Sequence, residues 1–186
     1  INAYVPQFYL IKGQLYEAMD NDMGALETYS QAIGIWDNYG DAYFLRGQVY
    51  LGQREYLKAV EDFSEAKDYG MIEGILGMGL GYQGLEQYED SLTAFAEYLV
   101  QLEAIDLQAL YHMAVSYYQL ENYDETINTI DELLKMEASD TEAMLLKALA
   151  YERKLQYDQV KIILNDILDI DPDHSEAQAL LEKISE

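Results

Sequence analysis

The sequence predicts an all-α fold, a stack of antiparallel helix pairs. Three observations carry that prediction. Five tyrosines, Tyr16, Tyr50, Tyr82, Tyr117 and Tyr151, recur at spacings of 34, 32, 35 and 34 residues. Three positions before each stands a small residue: Gly13, Gly47, Gly79, Ala114 and Ala148. Short, mostly polar breaks at 20–22, 52–54, 85–87 and 120–122 divide the periods into halves. A period of this length marks units that cannot cover their apolar faces alone and therefore stack.

Each half period reads as a helix. Nine residues after each tyrosine comes a small or short side chain: Ala25, Ala59, Ser91, Thr126 and Val160. Four further on stands a bulky one: Tyr29, Phe63, Phe95, Ile130 and Leu164. Spacings of three, four and seven put these positions on one buried helix face. The small residue lets the first helix of a pair (helix A) approach the second (helix B), and the tyrosine fills the gap to the next pair. The whole chain, 1–186, is expected to be a single array with repeats at 6–39, 40–71, 72–106, 107–140 and 141–174. The second repeat is two residues short, so its last helix is expected to end near Tyr69 and Gly70, with Gly70 as the cap. Residues 175–185 read as a capping helix with Ser175 at its N-cap.

These columns closely resemble the tetratricopeptide repeat family, whose pattern runs aromatic, Gly, Tyr, Ala, aromatic, Pro. "YLIKGQLYEAMDNDMGALETYSQA" (9–32) and "YFLRGQVYLGQREYLKAVEDFSEA" (43–66) carry the resemblance best. The third unit departs at Ile75 and Ser91. The last two have Leu110 and Met144 in place of the aromatic, and the closing proline survives only as Pro172. The resemblance implies an α-solenoid, a right-handed superhelix whose A helices line a concave groove that binds peptides or helices. It places groove contacts at Leu10, Phe44, Leu76, Tyr111 and Leu145. One turn later come Gln14, Gln48, Leu80, Val115 and Leu149, and the next turn adds Tyr118. An apolar row with polar edges is the mark of a partner site.

Composition narrows the partner. The 35 acidic and 11 basic residues leave a formal charge of −24. Such a surface repels phosphate and anionic lipid, so nucleic acid and direct membrane insertion are not expected. Between Lys67 and Lys135 there is no Lys or Arg against 13 Asp and Glu. The expected partner is a protein or peptide with basic residues beside apolar anchors. Tetratricopeptide domains that grip chaperone C-terminal tails use Lys, Asn and Arg in the groove. The matching positions here are Leu10, Gln14, Leu45, Glu73 and Gly77, so a chaperone tail is not expected. Self-association is the alternative, with Ala179, Leu180 and Ile184 of the last helix entering a neighbour's groove.

Chemistry is not expected, and neither is a cofactor or a metal. Gly79-Leu80-Gly81-Tyr82-Gln83-Gly84 satisfies the G-x-G-x-x-G expression, but nucleotide binding needs a strand before it and a helix opening at it. Here it falls inside a helix. Asp169, Asp171, Asp173 and Glu176 look faintly like a calcium loop, but the sixth and twelfth positions hold His174 and Leu180. His112 and His174 stand in no nucleophile arrangement. The absence of cysteine and a leading Ile1 lean slightly toward a trimmed bacterial extracytoplasmic protein, secreted or lipid-anchored, and fit a cytoplasmic fragment as well, so the location stays open.

Overall fold

The computed structural model describes residues 4–185, with side chains from Pro6 onward. Among them are eleven α-helices and no strand. They fall into two compact units, divided between Ala104 and Ile105. The first unit holds α1 (Tyr4–Glu17), α2 (Asp22–Ile35), α3 (Gly40–Gly52), α4 (Tyr56–Asp68), α5 (Glu73–Gly84) and α6 (Tyr88–Leu102). The second holds α7 (Leu107–Gln119), α8 (Tyr123–Met136), α9 (Thr141–Arg153), α10 (Tyr157–Ile170) and α11 (Ser175–Lys183). Within each unit every helix packs on the next.

The turns inside the pairs are one device used five times. Asp20, Arg54, Glu86, Glu121 and Leu155 sit in the left-handed region, with φ between 54° and 61°. They follow the tyrosine period. In each turn the N–H five residues after the tyrosine donates to the tyrosine carbonyl: Asn21 to Tyr16, Glu55 to Tyr50, Gln87 to Tyr82, Asn122 to Tyr117 and Gln156 to Tyr151, at 2.9–3.0 Å. This closes helix A by satisfying a carbonyl that has no partner within the helix. Gly70, with φ +91°, does the same after α4: Met71 N–H donates to Ala66 C=O at 3.0 Å and Gly70 N–H to Lys67 C=O at 2.8 Å.

Helix starts use side-chain caps where the connection is longer. Asn21, Asp106 and Asp140 accept from Gly24, Ala109 and Ala143 N–H at 3.0, 2.9 and 2.9 Å. The last helix differs from expectation. Ser175 is its first residue, and the cap is His174, whose Nδ1 accepts from Ala177 N–H at 3.4 Å. The turn through Asp171 and Pro172 ends one residue earlier than the serine rule suggests. Ala177 and Leu180 are buried with Val160, Ile163, Leu164 and Ile167 of α10, and Ile184 packs against that cluster.

The small column meets the bulky column directly. A Cβ on Gly13 would lie 2.3 Å from the Tyr29 ring, on Gly47 3.0 Å from Phe63, and on Gly79 2.5 Å from Phe95. The three glycines are paired with the three aromatics. The two alanines, Ala114 and Ala148, belong to repeats whose bulky residue is Ile130 or Leu164, and all four are fully buried. Ring volume in helix B thus sets how small helix A must be.

The same packing explains the glycine-rich α5. Gly74, Gly77, Gly81 and Gly84 follow one another at three and four residues, and this stripe faces α4. A Cβ there would meet the Phe63 carbonyl, the Phe63 ring, Val60 and the Tyr56 ring at 2.7, 2.6, 2.5 and 2.3 Å. Close packing on both sides offsets a propensity loss of roughly 0.8–1 kcal/mol per interior glycine. The G-x-G-x-x-G string is part of this contact.

One nearly buried ion pair ties α3 to α4. Arg46 Nε and Nη2 donate to the two Asp62 oxygens at 2.8 and 2.7 Å, and Nη1 donates to Ser30 Oγ on α2 at 2.9 Å. Lys147 of α9 reaches back the same sixteen residues to Asp131 of α8 at 2.6 Å. In the third repeat the positions of Arg46 and Asp62 hold Met78 and Ala94.

Two outcomes follow for chemical denaturation. Gly79→Ala should lose about 1–3 kcal/mol to overpacking against Phe95. Gly34→Ala, with nothing within 4 Å of its Cβ, should gain about 0.5–1 kcal/mol from helix propensity. Arg46→Met should cost about 3–5 kcal/mol by stranding Asp62, and Arg46→Met/Asp62→Ala, the third repeat's own solution, should recover most of it. A double variant as unstable as the single one would show that the pair is not the source of the loss.

Candidate functional site

The A helices of each unit present a mixed row of apolar, aromatic and polar side chains. In the first unit α3 and α5 lie in contact, as do α7 and α9 in the second. Phe44 leans on Phe63, with ring centroids 5.7 Å apart, and is half-buried. Leu76 and Leu80 on α5 are also half-buried, while Gln14 and Gln48 are exposed. The expected exposure does not extend to Leu10. It is buried with Ala25, Tyr29 and Ala32 of α2 because α2 closes over that side of α1.

In the second unit Tyr111, Val115, Tyr118 and Leu149 are half-buried. Leu145 is buried in the cluster that α9 forms with α10, a second departure from exposure. Tyr111 stands edge-on to His112 at 5.7 Å, and Tyr118 edge-on to Tyr123 at 5.5 Å. Arg153 Nε donates to the Tyr118 hydroxyl at 3.0 Å. The third-turn positions are tethered elsewhere too. Glu17 accepts from the Tyr29 hydroxyl, and Glu152 accepts from Lys183 at 2.8 Å.

Electrostatics single out Tyr111. Burial raises its hydroxyl above the ordinary phenol value, and the carboxylates of Glu142, Asp140 and Glu176 raise it further. Carboxylates of α9, its N-cap and α11 thus act on the Tyr111 hydroxyl. Sequence reasoning passes over these acids because they come from two stretches, 140–142 and 176, both distant from Tyr111. The available signal is Asp140-x-Glu142 at a helix start, which reads first as capping. Burial lowers the His112 imidazole below its ordinary value, against the opposing pull of Asp106, and keeps it neutral at pH 7.

Among the described residues no group of three or more His, Asp or Glu side chains is arranged to hold a metal ion. None of the described helices is long and apolar enough to cross a membrane. A cleft of about 740 Å³ is open, mixed in charge, and lined by α8 residues and Lys147.

The fold is shared with several solved structures. The chain is 21% identical to YrrB, a tetratricopeptide-repeat protein with an unusual peptide-binding site, at a TM-score of 0.80 over 94% of this chain and 90% of that one. It is 13% identical to MamA of Desulfovibrio magneticus RS-1 (TM-score 0.84, 91% and 97%). It is 20% identical to a tetratricopeptide-repeat protein of Parabacteroides merdae (0.83, 95% and 72%). At these identities the likeness is one of fold. None of the curated proteins matches the chain in sequence. Residues 107–152 match the Fis1 C-terminal tetratricopeptide repeat, and residues 40–69 match a tetratricopeptide repeat. With helix pairs in register with its tyrosine columns and two segments that match such repeats, this chain has the fold of a tetratricopeptide-repeat α-solenoid.

Proposed function

We propose that the chain binds a peptide or helix along its A-helix faces, and that the ligand carries basic residues beside apolar anchors. The observation that carries this is the half-buried Tyr111, whose hydroxyl feels the charges of Glu142, Asp140 and Glu176. Such a ring accepts the stem of a Lys or Arg while the carboxylates meet its charge. Phe44, Leu76, Leu80, Val115, Tyr118 and Leu149 are the apolar contacts. Gln14 and Gln48 supply polar edges, and Leu10 and Leu145 support the row from below. Each apolar anchor brought out of water contributes roughly 1.5–3 kcal/mol before the cost of association. The likeness to YrrB, which has a peptide-binding site, supports a peptide as ligand. The local absence of Lys and Arg between residues 67 and 135 supports a basic one.

The test is fluorescence anisotropy with synthetic amphipathic peptides that place Lys or Arg next to Leu. Affinity should fall as salt rises, because the charge contacts lie near the surface. Tyr111→Ala should weaken binding about tenfold or more while the helical circular dichroism stays unchanged. Glu142→Lys should weaken basic peptides and spare neutral ones. Equal affinity at low and high salt would remove the electrostatic part. A Tyr111→Ala variant that unfolds would place that ring in the core instead of the site.

A further inference from the structure

The connection from α2 to α3 carries side chains that its counterparts do not. Three of the connections that leave a helix B have four residues: Trp36-Asp37-Asn38-Tyr39 after α2, Glu137-Ala138-Ser139-Asp140 after α8, and Asp171-Pro172-Asp173-His174 after α10. Their backbones run alike. The first residue's N–H donates to the carbonyl four back, Trp36 to Ala32, Glu137 to Leu133 and Asp171 to Ile167, at 2.8–3.0 Å. The fourth residue's N–H donates to the carbonyl of the first at 3.2–3.3 Å. In the later two, Asp140 or His174 also caps the following helix through its side chain. Tyr39 stands at that position in the first and makes no side-chain cap. Trp36, the one tryptophan of the chain, stands where the others have a carboxylate and is 44% exposed. Neither ring is needed to make the turn, and the start of α3 loses a cap to one of them.

Both rings belong to a larger aromatic surface of the first unit. Trp36 and Tyr39 stack, with centroids 5.7 Å and planes 29° apart. Tyr43, one turn into α3, lies 5.8 Å from Tyr69, which directly follows α4. Gly40 joins the two pairs. It follows Tyr39, and a Cβ on it would lie 3.2 Å from the Tyr69 Cβ. Tyr69 is 42% exposed, while Tyr39 and Tyr43 are half-buried.

Carboxylates act on this surface. Desolvation raises the Tyr69 hydroxyl above the ordinary phenol value, and Glu65, Asp37 and Asp68 raise it further. Burial and then Asp41 do the same to Tyr39. All four acids are exposed. The cations nearest in sequence are engaged, Arg46 by Asp62 at 2.7 Å and Lys67 by Glu97 at 2.8 Å.

The molecule itself shows what such rings accept. Arg46 lies over the Tyr43 ring, 5.7 Å from its centre, while Asp62 takes two of its hydrogen bonds. Arg153 lies over Tyr118 at 5.9 Å. Among the described residues no Lys or Arg is placed in this way over Trp36, Tyr39 or Tyr69. A guanidinium is flat, stacks on aromatic faces and pairs with carboxylates. Exposed rings beside acids complement it in shape and in charge.

We propose that Trp36, Tyr39, Tyr43 and Tyr69 form a second binding site, which takes an arginine side chain of a partner protein. The guanidinium lies on the exposed part of the Trp36 and Tyr39 stack, and Asp37 and Asp41 meet its charge. None of these residues belongs to the A-helix row, and the site needs no apolar anchor. It therefore stands whether or not that row binds a peptide.

Trp36 is the sole tryptophan, so its fluorescence and its indole N–H resonance both report on this site in the whole chain. The probe is a capped Gly-Arg-Gly-Arg-Gly peptide, which has no apolar side chain to occupy the A-helix row. Both signals should change saturably over a titration into the millimolar range, and affinity should fall as salt rises. The same peptide with citrulline keeps the shape without the charge and should leave both signals unchanged. Tyr39→Asn removes a ring and restores a capping side chain, so it should keep the parent's circular dichroism and bind about tenfold more weakly. Asp37→Asn, in the exposed turn, should weaken binding severalfold. Tyr157→Asn, at an exposed tyrosine of α10, should bind as the parent does. Two unchanged signals with the arginine peptide, an equal response to the citrulline peptide, or parental affinity in Tyr39→Asn would overturn the inference.

Discussion

The fold depends on one contact, a helix A backbone pressed against a helix B ring. Phe63 shows how much rests on it. Gly47 of its own pair and Gly77 of the next pair both come against the ring. Three helices are therefore held at distances that a single methyl group would disturb. Such contacts gain dispersion energy and remove apolar area at once, and they do so only at close range. The cost is glycine inside helices, where the backbone has more freedom to lose. α5 carries that cost most heavily and recovers it by packing closely on both sides.

The second constraint is the turn. In the turns within the pairs five non-glycine residues hold left-handed backbone, each of them an uncommon conformation for a side chain of this kind. The periodicity of these turns matters more than their composition. Asp, Arg, Glu, Glu and Leu all serve, so the surrounding helices impose the conformation. A carbonyl of the repeating tyrosine is closed each time by the same hydrogen bond. The tyrosine column thus carries two roles, a half-buried ring on one side and a capped backbone on the other.

Partner chemistry sits on top of this frame without being required by it. The first unit meets its A-helix row with a ring stacked on the core and an Arg–Asp pair behind it. The second unit offers rings and carboxylates.

The helix pairs, their turns and the small and bulky columns were legible in the sequence because each follows from spacing along one chain. Local periodicity reports which face of a helix is apolar, and Gly13 with Tyr29 or Gly47 with Phe63 recur often enough to read. Spacing does not report what stands opposite that face. Leu10 and Leu145 occupy the same row as Leu76 and Tyr111, yet neighbouring helices bury them. Tyr111 and the carboxylates that act on it, Asp140, Glu142 and Glu176, lie in three separate segments, so no short window along the chain contains them together. Sequence alone determined the repeat and the overall sign of its charge. Tertiary structure decided which apolar side chains remain available, because exposure depends on neighbours that are distant in sequence.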